Sequence, residues 1–174
     1  MRSVLIGIQP KWCELIANGK KTVEVRKTKP KLETPFRCYI YCTKGKFEPA
    51  EHLKNNLHYD DSTIKVCEGQ GKVIGEFMCD KMLVSFLNNN DGWFVEKGCL
   101  TQKEIDEYQG DKAILYGWHI SDLVIYDKPK ELSELRSYNV RCAFDPDCFG
   151  FPVPTHKITR PPQSWCYVEE GGAK

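Results

Sequence analysis

Three charged residues, Lys21, Glu24 and Arg26, lie close together in the stretch NGKKTVEVRK. The run Thr-Val-Glu-Val-Arg alternates as a strand does, so Glu24 and Arg26 are predicted to share one face, with the valines on the other. The planar guanidinium of Arg26 can bind a phosphate or a base edge through two hydrogen bonds. Glu24 can accept hydrogen bonds from a base amino group or orient Arg26 and Lys21. The alternative is a surface ion pair worth about 0 to 1 kcal/mol.

Basic residues are concentrated around these three positions. The segment 20–46, which begins with Lys20, contains nine Lys or Arg residues against two Glu residues, while the whole chain has a formal charge of only +1. Such a local patch in a nearly neutral protein indicates an anionic partner. A solvated lysine-rich face is the alternative.

Aromatic and cationic residues elsewhere in the chain have the chemistry to bind a nucleobase. Trp12 follows the first apolar run, and Trp165 stands in the block RPPQSW together with Arg160 and two rigid prolines. Bases stack on tryptophan rings and on guanidinium planes. We therefore consider all three residues as ligand-binding candidates, with packing in the core as the alternative for Trp165.

A second group of residues has the chemistry of a metal site. Cys142, Cys148 and His156 lie in an irregular segment, and thiolate and imidazole ligands suit zinc. Their spacing is not that of a standard zinc finger, so an ordinary loop with free cysteines is the alternative. No GxGxxG, P-loop, HExxH or CxxC motif is present, and no other cofactor is expected.

The opening elements must position the charged residues. Residues 3–9 form a short, continuous, β-branched run that predicts a buried strand. Pro10 suits the first position of a helix, and Gly19 suits its left-handed end. A second strand follows through Arg26. The sequence thus predicts strand, short helix and strand.

The later part of the chain is dominated by strands. We predict strands at 37–43, at 71–86 with an interruption or bulge at Gly75, and in two halves of 113–127. Thr101 and Glu104 predict a capping box for a short helix. Six or seven strands with two or three short helices, without regular βαβ alternation, indicate an α+β protein. A small mixed β-barrel with helices at its ends fits better than a doubly wound sheet.

Length and composition indicate one ordinary domain. The chain has 174 residues, of which 41% are apolar and 28% charged. Its nine cysteines are an odd number. Five of them, Cys13, Cys38, Cys42, Cys67 and Cys79, lie in apolar or alternating segments and are predicted to be reduced core residues. No apolar run is long enough to span a bilayer and no signal peptide is recognisable, so a cytoplasmic location is expected.

The pattern Gly-x-Lys-x-x-Glu-x-Arg is formed here by Gly19, Lys21, Glu24 and Arg26. Several other segments of the chain support the same resemblance. Together with IGIQPKWCELIANGKKTVEVRK, GKVIGEFMCD, GWHISDLVIYDKPKEL and RPPQSW, the pattern resembles the ASCH domain family of the PUA-like superfamily, in a bacterial or phage-type subgroup.

The resemblance also suggests how the chain is divided. It assigns 1–135 to the barrel and 158–168 to a closing strand of the same domain. Residues 136–157 are then an irregular cysteine-bearing insertion, and 169–174 a flexible tail.

The resemblance implies a cleft lined by the motif residues and suited to RNA or a modified nucleoside. Lys20, Lys21 and Arg26 would meet the ligand, and Glu24 would supply an acceptor. Some small members of the superfamily look like amidohydrolases of acetylated cytidine that use a lysine, a threonine and a glutamate. Carried over, the lysine is Lys21, Glu24 stands at the threonine position, and Glu96 is a candidate third acid.

Three functions therefore stay open. The first is a module that binds RNA or a modified nucleoside. The second is an amidohydrolase or nuclease acting on such a ligand, with Lys21 and Glu24 as base and acid. The third is a protein-interaction adaptor that uses the basic patch. No membrane partner is expected, and the sequence does not determine the oligomeric state.

Overall fold

A computed structural model of the chain describes residues 2–45, 66, 68–86, 92–137 and 156–170. These residues contain three helices: α1 at Pro10–Ala17, α2 at Gly92–Gly98 and α3 at Gln102–Gln109. The first strands are β1 at Ser3–Ile8, β2 at Val23–Arg26, β3 at Phe36–Cys42, β4 at Val73–Cys79 and β5 at Met82–Phe86. The others are β6 at Ile114–His119, β7 at Ser121–Lys130, β8 at Leu135–Ser137 and β9 at Trp165–Glu170, with a 3-10 turn at Leu132–Glu134.

The strands form two sheets. The larger has the order β7-β4-β3-β1-β9-β8, and the smaller has the order β2-β6-β5. The pair β1 and β3 is parallel, whereas the other described pairs are antiparallel. The predicted α+β class is confirmed. The predicted barrel holds only loosely, because the backbone pairing of the described strands leaves two separate sheets.

The predicted strand-helix-strand opening is confirmed, and local signals explain it. Pro10 is the first residue of α1. Gly19 has a φ of 76°, in the left-handed region, and its N–H donates to the carbonyl of Ile16 at 2.9 Å. A residue without a Cβ adopts this conformation at little cost, so α1 ends here and the chain turns into β2.

The predicted strand at 71–86 is two strands that belong to different sheets. The chain leaves the larger sheet after Cys79 and enters the smaller one at Met82. Gly75 lies inside β4, where the register against β7 shifts, so the predicted bulge is confirmed. Helix α2 was not predicted, and the described part of the chain has nine strands where six or seven were expected.

β2 is packed against the core through its side chains that face away from Glu24. Val23 and Val25 are buried in a cluster with Phe94 of α2, Ile105 of α3 and Leu115 of β6. This apolar contact fixes the rotation of β2 between the small sheet and the two helices. Because strand side chains alternate, the residues between and after these valines must face the other way.

Four of the five cysteines predicted to be reduced core residues are confirmed. Cys13, Cys38, Cys42 and Cys79 are buried and form no disulfide. Burial raises the pKa of the Cys38 thiol well above its ordinary value and raises the pKa of Cys79 to about 12. These thiols therefore stay protonated at neutral pH and act as small apolar groups. Cys67 lies outside the described residues.

The end of the chain differs slightly from the sequence-based boundaries. β9 runs through Glu170, two residues into the predicted flexible tail, because its end pairs with β8. Most of the predicted insertion, residues 138–155, lies outside the part of the chain that the structure describes. Among the helices that are described, none is long and apolar enough to cross a membrane.

Candidate functional site

Lys21, Glu24 and Arg26 meet in one buried cluster, which we call the charged triad. The Glu24 carboxylate lies between the two cations, with Oε1 at 2.9 Å from an Arg26 terminal nitrogen and Oε2 at 3.5 Å from Lys21 Nζ. The side chains of the three residues are 2%, 7% and 11% exposed, in sequence order. The alternative of a surface ion pair is therefore wrong, and the pairing occurs where solvent screening is weak.

Lys21 is held from the side of α2. Its Nζ donates to the carbonyl of Gly98, the last residue of that helix, at 2.6 Å. A helix C-terminus carries partial negative charge and unpaired carbonyls, so an ammonium group is favoured there. The same Nζ lies 5.1 Å from the centre of the Trp12 ring, which adds a cation–π contact.

Arg26 is anchored to β1 and to the loop before β9. The nitrogen that contacts Glu24 also donates to the carbonyl of Gly7 at 2.6 Å. The other terminal nitrogen has one long contact, 3.5 Å to Ser164 Oγ. The N–H of Gly7 in turn donates to the carbonyl of Ser164 at 2.9 Å, so this loop is attached to the same strand. The guanidinium is thus fixed in position before any ligand arrives.

The charged triad lies at a cleft of about 740 Å³. The cleft is lined by four cations and two carboxylates, a net charge of +2. The residues that line it come from β1, α1 and their junction, β2 and its flanking residues, the end of β3, the α2–α3 loop, α3 and the turn after it, and the loop before β9. They are Gly7, Gln9, Trp12, Lys21, Glu24, Val25, Arg26, Lys27, Thr28, Thr43, Leu100, Glu104, Tyr108, Lys112, Gln163 and Ser164.

Aromatic rings with lysines beside them occur on two sides of the cleft. Lys11 Nζ lies 4.2 Å from the centre of the Trp12 ring, and Lys27 Nζ lies 4.9 Å from that of Tyr108. Burial raises the pKa of the Tyr108 phenol, so the hydroxyl stays protonated and can donate. These pairs combine a flat apolar surface with a nearby positive charge.

Helix α3 brings a second carboxylate to the cleft. The predicted capping box is confirmed: the N–H of Glu104 donates to Thr101 Oγ1 at 3.2 Å, and the N–H of Thr101 donates to Glu104 Oε2 at 2.9 Å. Glu104 Oε1 accepts from Lys11 Nζ at 3.2 Å. These hydrogen bonds, that from the Thr101 backbone first, lower the pKa of the Glu104 carboxyl, which is ionised at neutral pH.

Four of the predicted site residues line the cleft: Trp12, Lys21, Glu24 and Arg26. Lys20 and Glu96 are exposed and do not line it. Lys20 points away because it comes one position before Lys21, just after the turn that ends α1. Glu96 is in α2. This helix contacts the triad through the carbonyl of Gly98 and not through Glu96.

Arg160 and Trp165 do not line the cleft but a second pocket of about 580 Å³, beside it. Trp165 is partly buried against the core, with its ring 6.0 Å from that of Trp118, which supports the packing alternative. Its indole N–H donates to Thr28 Oγ1 at 2.9 Å, and Thr28 lines the cleft. The two cavities therefore meet at this hydrogen bond.

The proposed zinc ligands cannot be assembled from the described residues. Cys142 and Cys148 lie outside them, and His156 is exposed next to β8, where its backbone carbonyl accepts from the N–H of Ser137 at 2.8 Å. No cluster of three or more metal-ligating side chains occurs among the residues that are described. The zinc site stays a sequence-based prediction.

The basic segment 20–46 does not form one exposed patch. Lys21 and Arg26 are inside the charged triad, and Arg37 on β3 contacts Glu76 at 3.2 Å. Lys29 and Lys31 are exposed, and Lys46 lies outside the described residues. The positive charge is therefore divided between the cleft and the surface beside it.

Sequence reasoning missed the residues that reach the cleft from far along the chain. Glu104, Tyr108 and Lys112 come from α3 and the turn after it, and Gln163 and Ser164 come from the loop before β9. One signal was available for the last two, because they stand within the RPPQSW block. The α3 residues carry no local signal beyond the capping box.

Comparison with known proteins agrees with this architecture. The family profile of the ASCH domain matches residues 6–78. The solved structure of ASCH from Zymomonas mobilis is similar, with 15% identity, a TM-score of 0.55, and coverage of 96% of this chain and 87% of that chain. A comparison with curated protein sequences gave no match.

Two mutants of the same Zymomonas mobilis protein give the same result. A tyrosine-to-phenylalanine mutant has 17% identity and a TM-score of 0.57, with 97% and 91% of the two chains covered. A serine-to-alanine mutant has 16% identity and a TM-score of 0.58, with 97% and 89% covered. At these identities the likeness concerns the fold. Residues 6–78 therefore match the family profile of the ASCH domain, and the fold of the chain is similar to that of the Zymomonas mobilis ASCH protein.

Proposed function

We propose that the chain binds RNA or a modified nucleoside in the cleft. The observation that carries the proposal is the charged triad, a fixed guanidinium with its own buried carboxylate and ammonium partners, beside a cavity with a net charge of +2. A cavity of about 740 Å³ is within the size range of ligand sites. The resemblance to ASCH domains, which implies a cleft suited to RNA or a nucleoside, adds support.

Arg26 supplies the polar contact. One of its terminal nitrogens is held by Gly7 and Glu24, whereas the other has only the 3.5 Å contact with Ser164 Oγ. A phosphate or base acceptor in the cleft can accept a hydrogen bond from the second nitrogen while the first nitrogen keeps its bonds to Gly7 and Glu24. Because the guanidinium is already ordered, little conformational entropy is lost when a ligand binds.

Trp12 and Tyr108 supply the apolar contact. Both rings line the cleft, and each has a lysine ammonium within 5 Å of its centre. A base that stacks on either ring gains about 1–3 kcal/mol, and the neighbouring lysine can pair with the attached phosphate. Stacking and phosphate contacts together are the usual means of binding single-stranded RNA.

The test is the binding of a labelled single-stranded RNA, followed by fluorescence anisotropy at about 50 and 200 mM salt. The variant is Arg26→Lys, which keeps the charge and removes the planar fork. We expect it to weaken binding at least tenfold, which corresponds to about 1.4 kcal/mol. Thermal unfolding of each variant shows whether the fold is retained.

Arg37→Lys is the matched control. Arg37 is also a strand arginine that contacts a glutamate, Glu76, but it lines none of the cavities described above. We expect wild-type affinity for this variant. The proposal fails if wild type binds no RNA or modified nucleoside at low salt, or if the Arg26→Lys and Arg37→Lys variants bind equally well.

A second candidate is hydrolysis of a modified nucleoside or of RNA in the same cleft. The observation in its favour is that an ammonium and two carboxylates, Lys21, Glu24 and Glu104, all line one cavity. These are residue types that activate water and transfer protons. In this alternative Glu104 takes the role assigned to Glu96, and as an ionised carboxylate at neutral pH it acts as an acceptor.

Turnover separates the two candidates. N4-acetylcytidine and a short RNA are incubated with wild type and with Lys21→Met, and products are followed by chromatography. Product formed by wild type and lost in the variant supports the hydrolase. Binding without product supports the binding module.

A further inference from the structure

Strand β5 forms one edge of the smaller sheet. It pairs with β6 on one side, in an antiparallel register that runs without a shift from Met82 to Phe86. Within the part of the chain that the structure describes, no strand pairs with the other side of β5. The backbone groups on that side are therefore available to a strand from outside the chain.

The hydrogen-bond pattern shows which residues of β5 present these groups. The N–H of His119 donates to the carbonyl of Lys81 at 3.0 Å, so these two residues are a hydrogen-bonded pair just before the strand begins. Hydrogen-bonded and non-hydrogen-bonded pairs alternate along an antiparallel ladder. The backbone N–H and C=O of Met82, Val84 and Phe86 consequently point away from β6.

The same three residues form an apolar strip. Because side chains alternate along a strand, Met82, Val84 and Phe86 share one face. Val84 is 40% exposed and Phe86 is 58% exposed, whereas Met82 is partly packed against the core. The strand MLVSF contains no charge, proline or glycine. An open, uncharged edge with exposed apolar side chains is a place where another strand can add to a sheet.

The edges of the larger sheet are protected in ways that β5 is not. β7 contains Asp122, Asp127, Lys128 and Pro129, and its register against β4 shifts twice. β8, at the opposite edge, has only three residues. Charges, proline, bulges and short length are the usual means by which edge strands avoid pairing with other chains. The contrast indicates that the β5 edge is used for pairing.

We propose that the chain forms a homodimer in which the β5 strands of two copies pair antiparallel, with a two-fold axis at Val84. In this register Val84 lies opposite Val84 of the partner subunit, and Met82 lies opposite Phe86 of the partner subunit. The outward N–H and C=O groups of both strands are then all used, in three hydrogen-bonded pairs.

The symmetry of the strand favours a second copy over a different protein. A two-fold interface needs a surface that is complementary to itself. β5 has five residues, so its outward residues are placed symmetrically about the central Val84. No like charges oppose each other in this register, and each Met82 thioether meets a phenyl ring, which is a favourable contact. A charged peptide, in contrast, finds no opposite charge on the strand.

The dimer contains one continuous sheet of six strands, β2-β6-β5 followed by β5-β6-β2 of the partner subunit. The two-fold axis is perpendicular to this sheet, so both charged triads lie on the same face. At a strand spacing of about 4.8 Å, the two β2 strands are about 24 Å apart. The inference goes beyond the proposed function, because none of the three outward residues lines the cleft.

Sedimentation equilibrium of the full chain at about 1 to 200 µM tests the dimer. We expect wild type to associate reversibly over this range. Val84→Lys places two ammonium groups opposite each other at the axis, and should weaken association about tenfold or more. Val124→Lys is the matched control, because Val124 is a 50% exposed valine in the edge strand β7. It should associate like wild type, and thermal unfolding shows whether each variant is folded.

Val84→Cys gives a second readout, which depends on the register. Opposite residues of a hydrogen-bonded pair have Cα atoms about 5.5 Å apart, a distance that a disulfide can span. Glutathione disulfide should therefore link two copies through the introduced thiols, while it is itself reduced to two molecules of glutathione. Wild type, with the partly exposed Cys99 and Cys166, and Val124→Cys are the controls. Mass spectrometry of the linked peptides identifies the position.

Three results overturn the inference. Wild type that stays monomeric at about 200 µM shows that the edge does not pair with itself, and leaves the proposed function standing. Equal association of Val84→Lys and Val124→Lys shows that the copies meet on another surface. Linkage of Val84→Cys no greater than that of Val124→Cys shows that position 84 is not at the axis. Loss of association in Val84→Lys alone, together with linkage through position 84, supports the inference.

Discussion

Glu24 is the carboxylate on which two buried cations depend, and Glu24→Gln tests this directly. The substitution keeps the shape of the side chain and one hydrogen-bond acceptor but removes the charge. Lys21 and Arg26, 2% and 11% exposed, would then remain in the protein without their shared anion. We expect a large loss of stability.

The N–O distances in the triad give the expected size of this loss of stability. At an effective dielectric constant of about 20, unit charges at the observed N–O distances of 2.9 and 3.5 Å attract by about 5.7 and about 4.7 kcal/mol. Desolvation of the three groups and repulsion between the two cations offset most of this attraction. Removing one partner of a buried ion pair costs about 3–5 kcal/mol in proteins. Because glutamine retains an acceptor, we expect a loss at the lower end, about 3 kcal/mol.

Urea denaturation of wild type and Glu24→Gln measures this difference in the free energy of unfolding. In thermal unfolding, the melting temperature of the variant should be lower by about 6–12 °C, because 1 kcal/mol corresponds to about 2–4 °C in a chain of this size. Addition of 0.5 M salt should change the difference little, since buried pairs are weakly screened.

Glu107→Gln is the matched control. Glu107 also contacts a lysine, Lys103, but at 3.9 Å and with the two side chains 67% and 84% exposed, respectively. We expect it to cost at most about 0.5 kcal/mol. If Glu24→Gln costs no more than Glu107→Gln, the triad does not depend on its central charge and the reasoning is refuted.

Two further predictions concern positions away from the triad. A Cβ at Gly75 would collide with the backbone carbonyl of Val124, so Gly75→Ala should lower the free energy of unfolding by about 1–3 kcal/mol, and an unchanged urea midpoint would contradict this. Asp80 accepts a hydrogen bond from His119 at 2.6 Å, which lowers the pKa of its carboxyl. The stabilisation by ionised Asp80 is therefore complete above the unfolded pKa of about 3.9 and lost as pH falls through the folded pKa. Asp80→Asn should accordingly destabilise slightly at pH 7 and have no effect near pH 2 in urea titrations, and a difference that grows in acid would contradict this assignment.

The local elements were predictable because their signals are short-range. The start of α1 at Pro10, its end at Gly19, and the capping box of Thr101 and Glu104 each involve residues within a few positions of each other. The alternation in β2 is equally local. These features were confirmed because the tertiary contacts agree with the backbone preferences.

Strand partnership was not predictable, because the choice of neighbour depends on distant residues. The stretch 71–86 reads as one strand, yet it contributes β4 to one sheet and β5 to the other. The same difficulty explains why a barrel was predicted, although the backbone pairing of the described strands forms two separate sheets. The periodicity of apolar residues predicts which face of a strand is buried, but it does not predict which strand pairs with it.

The order of the amino acids is enough to predict which residues carry charge, which face of β2 is polar, and that the positive charge is concentrated near Lys21. The packed fold alone shows that this face is buried and that its partners come from far along the chain. Lys21 donates to Gly98, 77 residues away, and Arg26 contacts Ser164, 138 residues away. The physical reason is that removal of a charge from water must be compensated by nearby charges and carbonyls, and only the packed fold brings them together.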